Sequence, residues 1–435
     1  MHARRLSPSS CTSGAPERVV VTGLGIVSCL GNTLDAVSAA LRDGRSGLVH
    51  MPAWQTMGLS CQVAGLASVQ DEPPFARKFE RFMGETARMA CHAARKAVDD
   101  AGLDMASLQS PRAGLVAGSG SGALAAYDTA LDGVRARGVE RASPYIVPQV
   151  MSSTVSANLA QVFGLGGISY SPSSACTTSA LAIGQAAHWI RSGQQDIMLA
   201  GGAEELHDSY ALFFDAMGAL SRAPGDTPEY ARRASRPYDT ARDGFVLGSG
   251  AGMLVLESLT HAQARGARIY AELTGFGQST DVGSMVSPRA PGIARAIQGA
   301  VDEAGTPPDY INTHGPSTPS GDVEEVLALQ AVFGAEVPAF SSTKGLTGHP
   351  PGAAGAHEAI YTLLMMRDGF VAGSVGIETP DPAVMGLPLV RKTRPAQIGR
   401  ALSISFGFGG SCAGLMFDAR DGDFSTQRQE QECSR

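Results

Sequence analysis

The chain has 435 residues, of which 43% are hydrophobic and only 17% are charged, so it can bury a large interior and global disorder is excluded. The 34 Lys and Arg residues against 41 Asp and Glu residues give a net charge of −7, and the basic residues are scattered. Such a chain lacks the basic patch of a nucleic-acid-binding protein, so we expect no nucleic acid as partner.

The N-terminal segment predicts no folded element. Residues 1–17 are basic but lack the apolar stretch of a secretory signal, so we expect a disordered extension. No run of about 18 apolar residues occurs in the chain, which argues against a membrane span. The seven cysteines are dispersed and form no CxxC pair, which is typical of free thiols in a reducing compartment. These features together predict a cytoplasmic protein.

Two parts of the chain resemble each other in pattern and in order. The predicted first strand, Arg18–Gly25, is matched by Arg268–Gly277. The predicted helix end Ala94–Gly102 is matched by Ala296–Gly305. Each matched helix leads through a turn to a strand and then to a further helix. This alternation predicts parallel sheets between layers of helices.

We therefore expect an α/β fold made of two similar halves, stacked as a five-layered α/β/α/β/α sandwich. The first half spans residues 18–263 and the second spans residues 264–419, with a polar tail over residues 420–435. A charged segment over residues 221–243 is predicted to be a cap or loop inserted in the first half. No Asp, Glu, Lys or Arg occurs from Ala142 to Ile190, which indicates buried core or a surface against a second subunit.

The segment around Cys176 is the first candidate for chemistry. Its small neighbours, in Ser173–Ala186, predict a strand-to-helix turn with Cys176 at or near the start of the helix. A helix N-terminus stabilises a thiolate, so we expect the pKa of this thiol to lie below its ordinary value. An inert buried cysteine is the alternative unless basic partners occur elsewhere in the chain.

Three such partners follow predicted strands in the second half. His314 comes just beyond the strand that begins at Tyr310, and Lys344 and His349 lie five residues apart after a strand and before a helix. The ends of strands are where α/β folds carry their sites, so these side chains are expected to face Cys176. Neutral imidazoles that donate hydrogen bonds to a thioester oxygen suit acyl chemistry. A zinc site is the main alternative, but it needs a fourth ligand and has no use for Lys344.

A glycine-rich run near the C-terminus completes the candidate site. In Ser405–Gly410 the repeated glycines allow the backbone to approach a ligand closely, and an N–H group there can complete an oxyanion hole. The run does not follow a first strand, so a nucleotide phosphate site is not predicted.

These motifs together resemble those of the β-ketoacyl-ACP synthases, and most of all the type I elongating enzymes of bacterial fatty-acid synthesis. The resemblance extends from about Arg18 to Asp418, and it rests on several separated motifs in the same order. The motifs are Ser-Ala-Cys176-Thr-Thr-Ser, Asn312-Thr-His314-Gly-Pro-Ser-Thr-Pro-Ser-Gly-Asp322, Ser342-Thr-Lys344-Gly-Leu-Thr-Gly-His349, Ser405-Phe-Gly-Phe-Gly-Gly410, Ala200–Leu206, Phe214–Ser221 and Arg242–Val246.

The resemblance implies a thiolase-like fold, a homodimer and a decarboxylating Claisen condensation with no cofactor or metal. Cys176 would accept an acyl chain from acyl-ACP, and the carbanion left when malonyl-ACP loses CO2 would attack it. His314 and His349 would stabilise the enolate, and the N–H groups of Cys176 and Phe408 would form the oxyanion hole. The other implied residues are Lys344 paired with Glu325, Asp322 as a supporting carboxylate, Phe214, Phe245, Phe406 and Phe408 along the acyl pocket, and Thr318 against the phosphopantetheine of ACP.

Three residues near the histidine loop and the glycine run depart from the family pattern, and Thr177 follows Cys176 where the type I enzymes often have Ala. Pro316 stands where the family usually has Thr, and Ile404 and Cys412 replace Asn residues beside the glycine run. Pro316 lacks a hydroxyl and a backbone N–H, so carrier or substrate binding is expected to differ here. A dedicated polyketide or polyene pathway is therefore as open as primary fatty-acid synthesis.

Two other functions remain open from the sequence. A thiolase would use a second cysteine, for which Cys412 is available, but it has no use for His314 and Lys344. A non-catalytic chain-length factor, paired with a ketosynthase as a heterodimer, usually lacks the nucleophile that Cys176 supplies. For docking of an acidic ACP, the candidate basic residues are Arg77, Lys78, Arg81 and Arg141.

Overall fold

The structure is a computed structural model that describes residues 16–223 and 225–419. The predictions for residues 1–15 and for the tail at 420–435 lie outside the described residues. The predicted disorder does not reach Glu17, because its backbone N–H donates to the Arg191 carbonyl at 3.3 Å and its carboxylate accepts from the Thr260 hydroxyl at 2.9 Å. No helix in the described ranges is long and apolar enough to cross a membrane.

Strands and helices alternate along the described chain. The strands are β1 Val19–Val27, β2 Leu48–His50, β3 Val63–Gly65, β4 Ala113–Gly118, β5 Ser169–Tyr170, β6 Ile197–Glu204, β7 Gly250–Ser258, β8 Ala271–Thr280, β9 Tyr310–Asn312, β10 Ala339–Ser341, β11 Phe370–Val371, β12 Arg394–Pro395, β13 Arg400–Phe406 and β14 Ser411–Asp418.

The α-helices are α1 Leu34–Asp43, α2 Pro52–Met57, α3 Arg77–Glu80, α4 Glu85–Ala101, α5 Met105–Leu108, α6 Leu124–Arg137, α7 Ile146–Val150, α8 Thr154–Phe163, α9 Thr178–Arg191, α10 Asp208–Ala216, α11 Pro228–Arg233, α12 Leu259–Ala264, α13 Ala290–Ala304, α14 Gly321–Phe333, α15 Lys344–Thr347 and α16 Ala354–Asp368. Short 3-10 turns lie at Val139–Arg141, Ala175–Thr177, Pro351–Ala353, Pro382–Val384 and Phe408–Gly410.

The sheet repeats one strand order twice. Its ten strands run β10-β9-β13-β14-β8-β1-β7-β6-β4-β5, and β1 pairs with β8 through Val20–Glu272 and Val21–Ala271. From this junction outward, the strands of the first half follow in the order β1-β7-β6-β4-β5 and those of the second half in the order β8-β14-β13-β9-β10. Numbered within its own half, each series is the first, fifth, fourth, second and third strand. The orientations also match, because the fifth strand of each half is antiparallel to both neighbours and the outer three strands are parallel. The predicted internal duplication is therefore confirmed.

The prediction of parallel sheets is wrong for the inner strands of each half. β7 and β14 run antiparallel to β6 and β13, so each five-stranded half is mixed. In the second half the physical reason is the connection, since β13 and β14 are joined by four residues, 407–410, and only an antiparallel pair can be closed by so short a turn. In the first half the connection is long, residues 205–249, and β7 has the same orientation as its counterpart β14.

Helices cover the two halves in the predicted five layers. One outer layer contains α4, which packs on β1 and β7. The opposite outer layer contains α13, which packs on β8 and β14. Between the halves lie α9 and α16, which contact each other and both halves of the sheet. β1, β6 and β7 are buried along their whole length because helices cover both of their faces, and most of their residues are apolar. The predicted division between residues 263 and 264 falls within α12 and stays a prediction.

Glycines at equivalent places let the outer helices approach the strands. A Cβ on Gly25 of β1 would lie 1.9 Å from the Ala93 carbonyl oxygen of α4. A Cβ on Gly277 of β8 would lie 1.9 Å from the Ala296 carbonyl oxygen of α13. The repeated glycines of the sequence thus mark the same helix–strand contact in both halves.

We expect Gly25→Ala and Gly277→Ala each to destabilise the fold by about 3 kcal/mol, because the added methyl group meets helix backbone that cannot move aside. Thermal denaturation of the purified variants measures the effect. Gly299→Ala in α13 is the matched control, since its nearest neighbouring atom would be 3.4 Å away and Ala favours helix. Equal losses in all three variants would contradict this account.

Candidate active site

Cys176 lies where the helix α9 begins. It is the middle residue of the 3-10 turn Ala175–Thr177, which leads directly into α9. Ala175 has a φ of 51°, a left-handed conformation that is uncommon for a residue with a side chain and that turns the chain sharply before the cysteine. The sequence-based placement of Cys176 at a helix start is confirmed.

The predicted partners come together around this sulfur. Cys176 Sγ, one ring nitrogen of His314 and one ring nitrogen of His349 all lie within 4.8 Å of one another. The two imidazole rings are perpendicular, with centroids 5.0 Å apart. Three groups of this kind could also hold a metal, but the cluster within the described ranges offers no fourth ligand and lies beside the ammonium of Lys344.

The loop that carries His314 is fixed from beneath by Glu325. The loop follows β9, and the Glu325 carboxylate on α14 accepts the backbone N–H of His314 at 2.6 Å and that of Gly315 at 2.8 Å. Burial raises the pKa of Glu325 to about 7, while these N–H donors oppose the rise. Asp322, one turn earlier, accepts the N–H groups of Ser317 and Thr318 at 3.1 Å each.

Among the described residues, His349 forms hydrogen bonds only through its backbone. Its N–H donates to the Val246 carbonyl at 2.7 Å, and its ring lies 5.6 Å from the Phe245 ring, centroid to centroid. Neither ring nitrogen has a hydrogen-bond partner among the described residues, although the side chain is buried. An unpartnered buried imidazole is free to bind a ligand or to accept a proton.

Lys344 pairs with Glu358 and not with Glu325, so the predicted pairing is wrong. The Lys344 ammonium donates to the Glu358 carboxylate and, at 2.6 Å, to the His314 backbone carbonyl. The reason is direction, because Glu325 points at the backbone of the His314 loop whereas Glu358 projects from α16. Lys344 Nζ also lies 3.4 Å from His314 Nδ1.

Burial sets the protonation states of the histidines. Desolvation lowers the pKa of His314 well below its ordinary value, and the charges of Lys344 and His349 lower it further. Desolvation, with Lys344 again, does the same to His349. Both rings are therefore neutral at physiological pH. Since an ammonium has no lone pair, His314 Nδ1 must be the acceptor facing Lys344, which places the ring proton on Nε2.

The pKa of Cys176 is raised, contrary to the sequence-based expectation. Burial of the sulfur raises it to about 12, and Lys344 and a hydrogen bond from the Phe408 backbone oppose this only in part. The helix-start argument considered only the local chain, whereas the apolar surroundings come from both halves. Cys176 is consequently a thiol at physiological pH, and it would have to lose its proton to act as a nucleophile.

The glycine run brings backbone N–H groups to the sulfur, as predicted. The Phe408 backbone N–H is directed at Cys176, and a Cβ on Gly407 would lie only 2.8 Å from the Cys176 backbone nitrogen. Gly407 thus allows the end of β13 to approach the turn that carries Cys176. An oxyanion hole formed by the N–H groups of Cys176 and Phe408 stays a prediction.

A pocket of about 320 Å³ leads from the surface to Cys176 and both histidines. Its walls are largely apolar. All five residues predicted to bind substrate line it: Phe214, Phe245, Phe406, Phe408 and Thr318. The aromatic rings are in contact, with centroid distances of 5.2 Å for Phe214–Phe245, 6.0 Å for Phe214–Phe408 and 4.3 Å for Phe406–His314.

The three departures from the family pattern occupy different surroundings. Pro316 is buried in the wall of the pocket, two residues after His314. Ile404 and Cys412 are both 1% exposed and pack in the apolar core formed by α13, α14 and the second half of the sheet. Only Pro316 is thus placed to contact a substrate directly.

Sequence reasoning missed two buried carboxylates near the site. Glu358 lies in the middle of α16, where every residue from Ala354 to Met366 is buried. Glu204 ends the apolar strand β6 and accepts N–H groups from Gly120 at 3.0 Å and from Gly352 at 2.7 Å. A signal was available in both cases, since an acid within an apolar helix or strand needs a cation or donors at hand.

Comparison with known proteins agrees with this geometry. The family described as "Beta-ketoacyl synthase, N-terminal domain" matches residues 16–262, and "Beta-ketoacyl synthase, C-terminal domain" matches residues 270–378. The chain is 47% identical to 3-oxoacyl-[acyl-carrier-protein] synthase 1 of Haemophilus influenzae, covering 93% of this chain and 100% of the relative. It is 46% identical to the Escherichia coli K12 protein of the same name, covering 92% and 98%.

Solved structures give the same result. The ishigamide ketosynthase/chain length factor superposes with a TM-score of 0.84 at 32% identity, and a type II PKS ketosynthase bound to its acyl-carrier protein and the hexaketide superposes with 0.83 at 29%. Each covers 93% of this chain and 100% of the solved chain. Since the family matches both halves in order and the identity extends over nearly the whole length, this chain belongs to the β-ketoacyl synthase family.

Proposed function

We propose that this chain is a 3-oxoacyl-ACP synthase, which lengthens an acyl chain by two carbons through a decarboxylating Claisen condensation. The observation that carries the proposal is the meeting of Cys176 Sγ with the neutral rings of His314 and His349 at the inner end of the pocket. A nucleophile beside two hydrogen-bonding imidazoles is what a thioester condensation needs. The relatives named above carry the same name and support the assignment.

The first step loads the acyl chain onto Cys176. The thiol attacks the thioester carbonyl of acyl-ACP, and the ring of His349 accepts the thiol proton because its nitrogens have no other partner. The negative oxygen that forms is stabilised by the N–H groups of Cys176 and Phe408. Collapse of the intermediate expels the ACP thiolate, which takes the proton from His349. The product is an acyl-Cys176 thioester and free ACP.

The second step generates the carbanion by loss of CO2. The thioester oxygen of malonyl-ACP lies between the two imidazoles, where His314 donates from Nε2 and His349 donates from the nitrogen that bears its proton. As the carbon–carbon bond to the carboxylate breaks, its electron pair forms an enolate that these donors stabilise. No strong base is needed, because CO2 departs in place of a proton. Lys344 keeps the ring of His314 oriented by facing its Nδ1 atom.

The third step forms the new carbon–carbon bond. The enolate carbon attacks the carbonyl of acyl-Cys176, and the resulting oxyanion again occupies the hole formed by Cys176 and Phe408. Collapse of this intermediate releases the Cys176 thiolate, which is reprotonated through solvent or an imidazole. The 3-oxoacyl chain leaves on ACP, longer by two carbons. One CO2 and one free ACP are released in each cycle, and neither a metal nor another cofactor takes part.

The pocket accounts for how the substrates reach the sulfur. We assign the phosphopantetheine arm of ACP to the side of the pocket lined by Thr318, and the acyl chain to the side lined by the aromatic rings of Phe214, Phe245, Phe406 and Phe408. Pro316 lies in the same wall and offers no donor to the arm. The exposed basic residues Arg77, Lys78, Arg81 and Arg141 are the proposed contacts for acidic ACP.

The same family assignment leads us to propose a cytoplasmic homodimer. Strand β5 is a free edge of the sheet and lies within the uncharged segment Ala142–Ile190. Helix α6 has no buried residue although it is 14 residues long. A second copy of the chain would cover both elements. The free cysteines of the described residues are consistent with a reducing compartment.

Retention of the complete set of reactive groups argues against the two alternative functions. A chain-length factor lacks the nucleophile, and a thiolase needs its second cysteine within reach of the first. Cys412 does not line the pocket, because its side chain is buried beside Ile404 in the core.

We expect Cys176→Ser to reduce condensation at least about a thousandfold without unfolding the chain, because a hydroxyl is a far weaker nucleophile. Cys176→Gln should lose condensation but continue to release CO2 from malonyl-ACP, since both histidines remain. Product mass spectrometry and a CO2 assay measure the two activities. Residual condensation above a few per cent in Cys176→Ser would contradict the assignment, and a wild-type chain that forms no acyl adduct would favour the chain-length factor.

We expect His314→Ala and His349→Ala each to slow decarboxylation about a hundredfold to a thousandfold, because each removes a donor to the enolate oxygen. Loading of the acyl chain should fall less in His314→Ala, whereas His349→Ala should also slow loading because His349 accepts the thiol proton; the mass shift of Cys176 with time measures both. His188→Ala, in the last turn of α9 and outside the pocket, is the matched control. A variant that decarboxylates at the wild-type rate would exclude its histidine from the proposed role.

The purified chain should have twice the mass of a single copy in solution, as light scattering after size exclusion measures. Ser169→Pro in β5 should shift the protein toward the monomer, because in the parallel register of β5 with β4 the N–H of Ser169 faces the free edge and proline removes it. A wild-type chain that is monomeric alone and dimeric only with a second ketosynthase subunit would replace the homodimer by a heterodimer.

A further inference from the structure

A segment of the first half crosses the loop that carries His314. This clasp segment, residues 235–242, lies in the region predicted as an inserted cap. Its Ser235 hydroxyl donates to the Lys344 carbonyl at 2.8 Å, and its Arg236 N–H donates to the Ser317 hydroxyl at 3.0 Å. Arg242 donates to the Thr318 and Pro319 carbonyls at 3.0 and 2.7 Å. The first half thereby holds the second half at the active site.

Tyr238 is the residue of the clasp segment that reaches deepest. It is 1% exposed, and its ring packs edge-on against Phe340 at 5.7 Å between centroids. Its hydroxyl lies 2.7 Å from Thr313 Oγ1 and 3.0 Å from a carboxylate oxygen of Glu325. A phenol has one proton to donate, and an ionised carboxylate is the stronger acceptor. Tyr238 therefore donates to Glu325 and accepts from Thr313.

This contact is made under backbone strain. Tyr238 has a φ of 67°, and Ser317, on the loop it faces, has a φ of 76°. Residues with side chains occupy this left-handed region only where the surroundings impose it. The backbone N–H of Tyr238 is fixed at 2.9 Å from the Asp322 carboxylate, which also holds the loop at Ser317. The conformation of Tyr238 is thus set by contacts that converge on the His314 loop.

Glu325 transmits the contact to the histidine. One of its oxygens accepts the His314 N–H, and the other accepts the Gly315 N–H together with the Tyr238 hydroxyl. Glu325 forms no ion pair with any described residue, so these three donors alone stabilise its charge. Without the Tyr238 hydroxyl, one oxygen of the buried Glu325 carboxylate loses one of its two hydrogen-bond donors. The contact that fixes the turn at His314 is then weaker.

We propose that Tyr238 is a positioning residue for the malonyl half-reaction, which acts through Glu325 to set the placement of His314 against the enolate oxygen. The proposal rests on the function proposed above and goes beyond it, because Tyr238 does not line the pocket and touches no substrate. Cys176 is positioned by α9 and by the glycine run, elements that Tyr238 does not contact. Loss of the hydroxyl should therefore affect decarboxylation and spare acyl loading.

The test is Tyr238→Phe, which keeps the ring against Phe340 and removes only the hydroxyl. The kcat for CO2 release from malonyl-ACP should fall between about tenfold and a hundredfold, as a small misplacement of a catalytic group can cost that much. The KM for malonyl-ACP and the rate of Cys176 acylation should stay within about twofold, since the binding contacts are unchanged. Glu325→Gln combined with Tyr238→Phe should be no slower than Glu325→Gln alone, because both act through one contact.

Tyr270→Phe is the matched control. Tyr270 is also buried and its hydroxyl also donates to a carboxylate, that of Asp100 at 2.9 Å, but it precedes β8 at the end of the sheet away from the pocket. Both half-reactions should be unchanged in this variant. Thr313→Val, which removes the other partner of the Tyr238 hydroxyl, should repeat the selective loss of decarboxylation and serves if Tyr238→Phe does not fold.

The outcomes separate the proposals. Decarboxylation at the wild-type rate in Tyr238→Phe, or equal losses in both half-reactions together with a lower thermal midpoint, would overturn the positioning role. A wild-type chain that neither acylates Cys176 nor releases CO2 would overturn the proposed function itself. Selective loss of decarboxylation in an otherwise stable variant supports both.

Discussion

The close contact between the two central helices determines where everything else in the active site can lie. A Cβ on Gly355 of α16 would be 2.7 Å from the Ala180 backbone nitrogen of α9, and the Ser179 hydroxyl accepts the Ala356 N–H at 2.9 Å. Small residues and one hydrogen bond thus bring the N-terminal ends of both helices to the same point. Cys176 precedes one helix and His349 precedes the other, so the proposed nucleophile and a proposed donor to the enolate oxygen meet where two helix dipoles favour negative charge.

The electrostatics of the site follow from burying many polar groups in one place. The buried Lys344 ammonium is balanced by Glu358, and its charge helps to keep both histidines neutral. Neutral rings can donate to an oxyanion or accept a proton, whereas two imidazolium ions so close together would repel each other. Burial also raises the pKa of Glu358 to about 7, and Lys344 opposes this rise. The Lys344–Glu358 pair thus places an electric field at the rings of His314 and His349 while adding no net charge to the interior.

Much of this arrangement was predictable from the sequence, and the failures have physical causes. The duplication and the meeting of Cys176, His314 and His349 followed from repeated patterns and from residues at strand and helix ends, which are local features. The partner of Lys344 did not follow from such local features. Glu325 and Glu358 both lie on helices that come after the loops of His314 and His349, and only the packing of α16 decides which of them meets Lys344. The raised pKa of Cys176 was missed for the same reason, since the residues around the sulfur come from both halves of the chain and only the folded structure brings them together.

Glu204 has a consequence for how this enzyme can move. Its carboxylate accepts from Gly120 in the first half and from Gly352 in the second, and burial raises its pKa. A hinge-like opening between the halves would break the hydrogen bond from Gly352, whereas the donors of Ser119, Gly120 and Ser121 belong to the same half as Glu204 and would move with it. Opening would therefore cost about 1 to 3 kcal/mol for this one buried bond, so rotation of side chains at the mouth of the pocket is the less costly way to admit a substrate.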